Sequence, residues 1–270
     1  MTWAEDMGYD AFDEDLYFEN KFNKTKKEKK LFQLPKNEPQ KPKDTPRNYF
    51  IYGETMSGKS YLANEFPNPI VLNTDGNAEA NSVPAIQLRN IKDRNGKISH
   101  SVIDQLAEIL LALQTSQHTY ETVIIDVIDD VIEMIRIAVC GEHEVKSLSE
   151  IPFGKGYDQF NQALIELVLD LKALPMNVIY ISRQLNEYDE NGNASKEKPS
   201  LKDKYVNLIN GNADLMIQTK KVGNNYMRLI DRRRKAYKAE QVDDKKILNI
   251  LLTVRGALDG TVAKQENKKF

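Results

Sequence analysis

The 270-residue sequence has one cysteine, Cys140. An internal disulfide is therefore excluded and no cysteine cluster is left for zinc, as expected in a reducing cytoplasm. Long apolar runs are also missing. None reaches the roughly 18 residues that cross a bilayer, and the N-terminus is acidic, so neither a membrane span nor a signal peptide is expected. Neither sign of charge is in excess: 38 Lys and Arg face 40 Asp and Glu, a formal net charge of -2. A wholly basic nucleic-acid sleeve is excluded, and any such contact must come from a local patch. Only 3 histidines occur. His100, His118 and His143 are scattered, and Cys140 with His143 gives only two ligands, so no metal other than magnesium is expected.

Aliphatic residues are sparse before Asn48. Residues 1–20 carry acids and aromatics without Lys or Arg, whereas 21–47 are rich in Lys, Asn, Gln and Pro. Ordering such a segment costs about 1 to 2 kcal/mol per residue with little burial to offset it, so residues 1–47 are expected to be a disordered acidic tail and a Lys/Pro-rich linker. Trp3, Tyr9, Phe12, Tyr17 and Phe18 leave open a second role, as a partner-binding peptide or a DNA mimic over a basic groove.

From Asn48 short apolar strands alternate with longer amphipathic helices. This predicts an α/β domain over 48–256, with a mostly parallel central sheet flanked by helices, and a flexible tail over 257–270. Strands are expected at 49–52, 70–73, 122–126 and 177–182. Helices are expected at 100–117 and 157–174, where apolar residues recur on one face. After Ala213 the period shortens, predicting a C-terminal β-hairpin from 215–219 and 226–230 and a closing strand over 248–254.

The first strand runs into Gly53-Glu54-Thr55-Met56-Ser57-Gly58-Lys59-Ser60, a complete G-x-x-x-x-G-K-[ST] phosphate loop followed by a helix that Tyr61 continues. Glycines allow the main-chain N–H groups to turn around phosphates, Lys59 reaches the β and γ phosphates, and Ser60 ligates Mg²⁺. The cofactors expected are ATP and Mg²⁺. The metal needs a further acid at the end of a buried strand beside the first, and Thr122-Val123-Ile124-Ile125-Asp126 supplies Asp126. Asp129 and Asp130 read as a solvated helix start rather than as acids backing Asp126.

Gly53 to Ser60 resembles the phosphate loop of the RecA-family recombinases. Phe153-Gly154-Lys155-Gly156-Tyr157-Asp158 is similar to a segment of short phage RecA-like nucleotide-binding proteins associated with single-strand annealing. The resemblance covers about 48–256 and implies a RecA-like ATPase, slow or DNA-stimulated, that forms homo-oligomers on single-stranded DNA in the cytoplasm of a bacterial host. It also implies that Asp75, in Asn73-Thr74-Asp75-Gly76-Asn77, polarises the attacking water, with Glu79 as the alternative; the recombinases carry a Glu there. Gln184, closing Val178-Ile179-Tyr180-Ile181-Ser182-Arg183-Gln184, is implied as the switch that feels the γ phosphate.

The stretch 185–204 reads as a long flexible loop able to contact DNA through Lys196, Lys198, Lys202 and Lys204. The one dense basic run, Arg232-Arg233-Arg234-Lys235, fits three roles: action across a subunit boundary on a neighbour's γ phosphate, DNA binding, or a solvated turn. Two other functions fit the same motif. One is an ATP-switched recombination mediator whose acidic tail docks a single-strand-binding protein. The other is a P-loop kinase of a small acceptor.

Overall fold

A computed structural model describes residues 34, 36–39, 45–76, 82–188 and 194–260. The chain divides into two compact units, Met1–Pro42 and Lys43–Phe270, and the second carries the fold that follows. The expectations for residues 1–33, 35, 40–44 and 261–270 lie outside the described residues.

The order is β1 (Asn48–Gly53), α1 (Lys59–Asn64), β2 (Pro69–Asn73), β3 (Ala85–Gln87), β4 (Ile91–Lys92), β5 (Ile98–His100), α2 (Val102–Thr115), β6 (Thr122–Asp126), α3 (Ile128–Glu142), α4 (Lys155–Ala173), β7 (Asn177–Tyr188), β8 (Ala194–Pro199), α5 (Asp203–Asn212), β9 (Leu215–Val222), β10 (Asn225–Arg233) and α6 (Lys245–Thr253). The main sheet runs β10-β9-β1-β7-β6-β2-β3, with β8 paired to β7 off this path. β9, β1, β7, β6, β2 and β3 are mutually parallel. β10 returns antiparallel beside β9. This is the α/β, RecA-like layout with a C-terminal hairpin at one edge.

Strand alternation divides the core between the two sheet faces. Phe50, Tyr52, Val123, Ile125, Val178 and Tyr180 pack with α2, α3, α4 and α5. Tyr49, Ile51, Ile124, Ile179 and Ile181 pack with α1 and α6. A sheet covered on both sides needs strands apolar at every position, which is why β1, β6 and β7 read as continuous apolar runs.

Three expectations are corrected. Residues 248–254 are not a strand: α6 spans Lys245–Thr253, because Asp244 caps it by accepting N–H bonds from Lys246 and Ile247. Its buried residues Ile247, Ile250 and Leu251 recur at helical spacing and pack on the sheet face, and the strand-type pairing there is an isolated bridge from Arg255 to Leu229. Nor is 185–204 a long loop, since β7 continues to Tyr188 and β8 returns antiparallel against it. The sequence of β8, Ala-Ser-Lys-Glu-Lys-Pro, carries no apolar alternation. Its pairing is supported by ion pairs between Lys198 and Glu187 and between Glu197 and Lys220. The helix expected from His100 starts at Val102, where Ser101 and Asp104 form a capping box and His100 belongs to β5.

Packing continues past Gly256: Ala257 and Leu258 are buried, and Asp259 N–H donates to Tyr237 O at 2.8 Å. At the other end, Thr45 and Arg47 are tied down through Asp243 N–H at 2.9 Å and Val178 N–H at 2.8 Å. Among the described residues no helix is long and apolar enough to cross a membrane.

Candidate nucleotide site

β1 ends at Gly53, and the chain turns through Glu54 to Gly58 before entering α1. Ser57 N–H donates to Glu54 O at 3.2 Å to close the turn. Met56 and Gly58 both take left-handed backbone, at φ 62° and 89°. Space as well as conformation requires the glycines. A Cβ on Gly53 would lie 2.3 Å from Thr219 O and 2.6 Å from Ser57 Oγ, and one on Gly58 would lie 3.3 Å from the Tyr226 ring. Ser57 and Thr219 hydroxyls bond at 2.7 Å, pinning the loop to β9. Glu54, Thr55 and Met56 form its exposed tip. Tyr61, on α1, shares a small recess beside the loop with Tyr226 and Arg228.

Lys59 curls over the loop, its Nζ donating to Gly53 O at 2.9 Å and Glu54 O at 2.7 Å. Burial holds its ammonium below the usual lysine range, against the opposing pull of Asp126 and Asp129. Ser60 Oγ donates to Asp126 Oδ2 at 2.6 Å. Burial likewise pushes the Asp126 carboxyl above its usual range; the Ser60 hydrogen bond and the Lys59 and Arg183 charges work the other way. One hydroxyl and one carboxylate at hydrogen-bond distance form a hard-oxygen pair suited to Mg²⁺, which takes few protein ligands and keeps its waters. The loop and this pair fit a magnesium triphosphate, which when bound supplies the charges that compensate the buried ammonium and carboxylate.

The sequence alone places Asp126 on the strand beside β1, but β7 stands between them. Asp126 is level with Ile181 of β7, and Gly53 is level with Arg183. Apolar content does not order strands, and Val178 to Ile181 is as apolar as β6. The acid reaches Ser60 across the end of the intervening strand.

Asp129 and Asp130 stand in the first turn of α3, as expected of a helix start, but both are half-buried and hydrogen-bonded instead of solvated. Asp129 accepts from Ser182 Oγ at 3.2 Å and from Arg183 N–H at 3.3 Å, and burial raises its carboxyl pKa. Asp130 takes both guanidinium nitrogens of Arg183 at 2.7 Å and Thr74 Oγ1 at 3.1 Å. Arg183 is the site residue that sequence reasoning missed. Its only signal was its place one residue before Gln184, at the end of a buried strand.

Asp75 lies two residues beyond the end of β2, exposed, with its N–H donating to Asn73 Oδ1 at 2.7 Å. It is near enough to Asp126 for its charge to raise that carboxyl. Glu79 lies outside the described residues. Gln184 does not bond the phosphate loop directly. Its Nε2 donates to Asn186 Oδ1 at 2.8 Å and its Oε1 accepts from Gln218 at 2.9 Å, while Asn186 donates to Glu54 Oε1 at 3.2 Å. It thus belongs to a chain of side chains linking the β7–β8 hairpin to the loop.

Arg232 to Lys235 fall at the other end of the sheet. Arg233 is level with Leu215, whereas Gly53 is level with Thr219, so the run lies away from this subunit's own phosphate loop. Arg233 pairs with Asp259 at 2.5 Å, and Arg234 donates to Gly211 O at 2.6 Å. Lys235 lies over the Tyr237 ring at 5.2 Å, and Arg232 is exposed.

The family described as AAA domain matches residues 45–242, nearly three quarters of the chain. The chain belongs to the AAA domain family. In this AAA domain the matched stretch contains the phosphate loop, Asp126, Arg183 and the β7–β8 and β9–β10 hairpins, and ends before α6. The crystal structure of flagellar accessory protein FlaH from Methanocaldococcus jannaschii is similar at 14% identity, covering 75% of this chain and 84% of that one, with a TM-score of 0.33. No curated protein matches. The AAA domain described here is a P-loop NTPase domain with a RecA-like core.

Proposed function

We propose that this AAA domain binds Mg-ATP between Gly53–Ser60 and Asp126, hydrolyses it slowly, and uses the cycle to control a homo-oligomer's hold on single-stranded DNA during phage recombination, annealing or replication. The observation that carries the nucleotide part is the 2.6 Å contact between Ser60 and Asp126 across β7. In the reaction, water attacks the γ phosphorus as the bond to the β–γ bridging oxygen breaks and ADP leaves. Asp75 takes the water's proton, and Lys59 neutralises charge on the phosphoryl oxygens.

The DNA part is supported by the sequence resemblance and by the β7–β8 hairpin, which extends from the strand beside the phosphate loop. Lys196 is exposed on it, and Lys202 and Lys204 are exposed where the chain enters α5. The side-chain chain from Glu54 through Asn186 and Gln184 gives that hairpin a route to the nucleotide. One feature favours the mediator reading: Asp75 is a methylene shorter than Glu, so a displacement of about 1 Å from the water could cost on the order of 100-fold in rate.

The test is ATP turnover with and without single-stranded DNA, alongside the mass of the complex. Turnover raised severalfold by DNA, in an ATP-dependent oligomer and absent in Lys59→Ala, supports the proposal. ATP-dependent binding of a single-strand-binding protein with no DNA effect on turnover favours the mediator. Normal turnover in Lys59→Ala would remove the nucleotide reading altogether.

A further inference from the structure

The hairpin β4–β5 has no part in the nucleotide site, yet charge of one sign gathers on it. From Arg89 to Lys97 four cations, Arg89, Lys92, Arg94 and Lys97, stand against one acid, Asp93, in a chain of formal net charge -2. The carboxylate of Asp93 is occupied by the turn, where its Oδ1 accepts N–H bonds from Asn95 at 2.8 Å and Lys97 at 2.9 Å. The hairpin is seated on α3. Ile98 packs where Gly141 has no side chain, a Cβ there lying 2.8 Å from Ile98 Cδ1, and Asn90 Nδ2 donates to Met134 O at 2.9 Å.

Between the hairpin and the second half of α3 lies an open cleft of about 440 Å³, within the range of roughly 300 to 1,000 Å³ typical of preformed ligand sites. Lys92 and Lys97 of the hairpin, Arg136 of α3 and Lys146 just beyond that helix line it. Lys97 pairs with Glu144 and Arg136 with Glu133, whereas Lys92 and Lys146 are exposed and form no ion pair among the described residues. Ile98, Ile137 and Val145 supply an apolar surface between these cations, and Ile137 keeps 39% of its area in solvent.

None of the described side chains lining the cleft is aromatic, so the bases of a nucleic-acid strand would find no stacking surface. Cations around aliphatic side chains complement instead a peptide that carries carboxylates beside a large apolar residue. Burying one such residue is worth roughly 10-fold or more in affinity, and the cations steer and orient the segment.

We propose that the cleft between β4–β5 and α3 is a docking site for an acidic peptide segment of a partner protein, with Lys92 and Lys146 pairing its carboxylates and Ile98, Ile137 and Val145 receiving one apolar side chain. The inference goes beyond the nucleotide and DNA readings and depends on neither.

The test is fluorescence anisotropy with the full chain and a labelled peptide of alternating Asp and Glu ending in Leu-Phe. Beside it run the same peptide with Asn and Gln in place of the acids, the acidic peptide ending in Gly-Gly, and labelled oligothymidine. The acidic Leu-Phe peptide should bind with a micromolar dissociation constant, weaken about 10-fold when either its acids or its apolar end is replaced, and weaken as salt rises. Lys92→Glu combined with Lys146→Glu, and separately Ile137→Ser, should each weaken it about 10-fold with an unchanged thermal melt, since all three side chains are exposed. If Ile137→Ser melts below the assay temperature, the charge-reversed pair decides. Absence of binding, or binding that survives the charge-reversed pair, overturns the proposal. Oligothymidine that displaces the peptide and is itself lost in the charge-reversed pair, with the Leu-Phe end making no difference, would make the cleft a nucleic-acid site and overturn it as well.

Discussion

A methyl group at Gly53 would overlap Thr219 at two atoms, its carbonyl oxygen at 2.3 Å and its hydroxyl at 2.4 Å. Backbone is one of the two, so the clash cannot be relieved by a rotamer change, and β9 would have to move away from β1. Gly53→Ala is expected to lower stability by about 1 to 3 kcal/mol in a urea titration, the usual cost of overpacking, and to weaken nucleotide binding with it. An unchanged midpoint would show that the loop and β9 are less tightly coupled than these distances imply. Asp130 carries a pH dependence. The Arg183 hydrogen bonds hold its carboxyl below the ordinary value of 3.8. Its contribution to stability is therefore full above that ordinary value and is lost as pH falls through the lower, folded-state value. Melting temperature should fall slightly less steeply with acid below about pH 4 in Asp130→Asn than in the unaltered chain, a small difference because the Arg183 side chain is 47% exposed. Identical acid limbs would count against the pairing.

At the scale of elements, most of what positions the site was readable from pattern, and the exceptions share a cause. The interiors of β1, β6 and the first half of β7, residues 49–52, 123–125 and 178–181, are apolar because both faces are covered, and α2 and α4 carry one apolar face each. α6 resembles a strand in sequence because Ile247 to Val254 is short and dense in branched residues, and such a run cannot be told from a strand by composition alone. Asp244 decides it by satisfying two otherwise unpaired N–H groups. Asp244→Ala should cost about 1 kcal/mol, measured by chemical denaturation, while leaving nucleotide affinity intact because α6 lies outside the phosphate loop. β8 resembles a loop in sequence for the opposite reason. Its residues are polar, and it exists because β7 offers an edge and Glu187, Gln218 and Lys220 offer partners. No local signal encodes such a strand.

At the scale of the whole molecule, every described site residue lies in the unit Lys43–Phe270. Removing residues 1–42 should leave ATP affinity within about twofold by titration, since every described site residue is retained. A larger loss would mean that the acidic tail takes part in the site. In the mediator reading the same truncation abolishes capture of a single-strand-binding protein. The basic run Arg232 to Lys235 stands at the opposite end of the sheet from the phosphate loop, so it takes no part in the nucleotide site of its own chain.

The phosphate loop, its lysine and serine, and the acid Asp126 were determined by the sequence itself, because glycine spacing and a buried strand ending in a carboxylate are local requirements of the chemistry. Strand order, the place of β7 between Gly53 and Asp126, and the clamp of Arg183 on Asp130 were decided only by tertiary structure. Those contacts join residues more than fifty positions apart, and which strands lie side by side depends on how helices fill both faces of the sheet, not on any property of the strands alone.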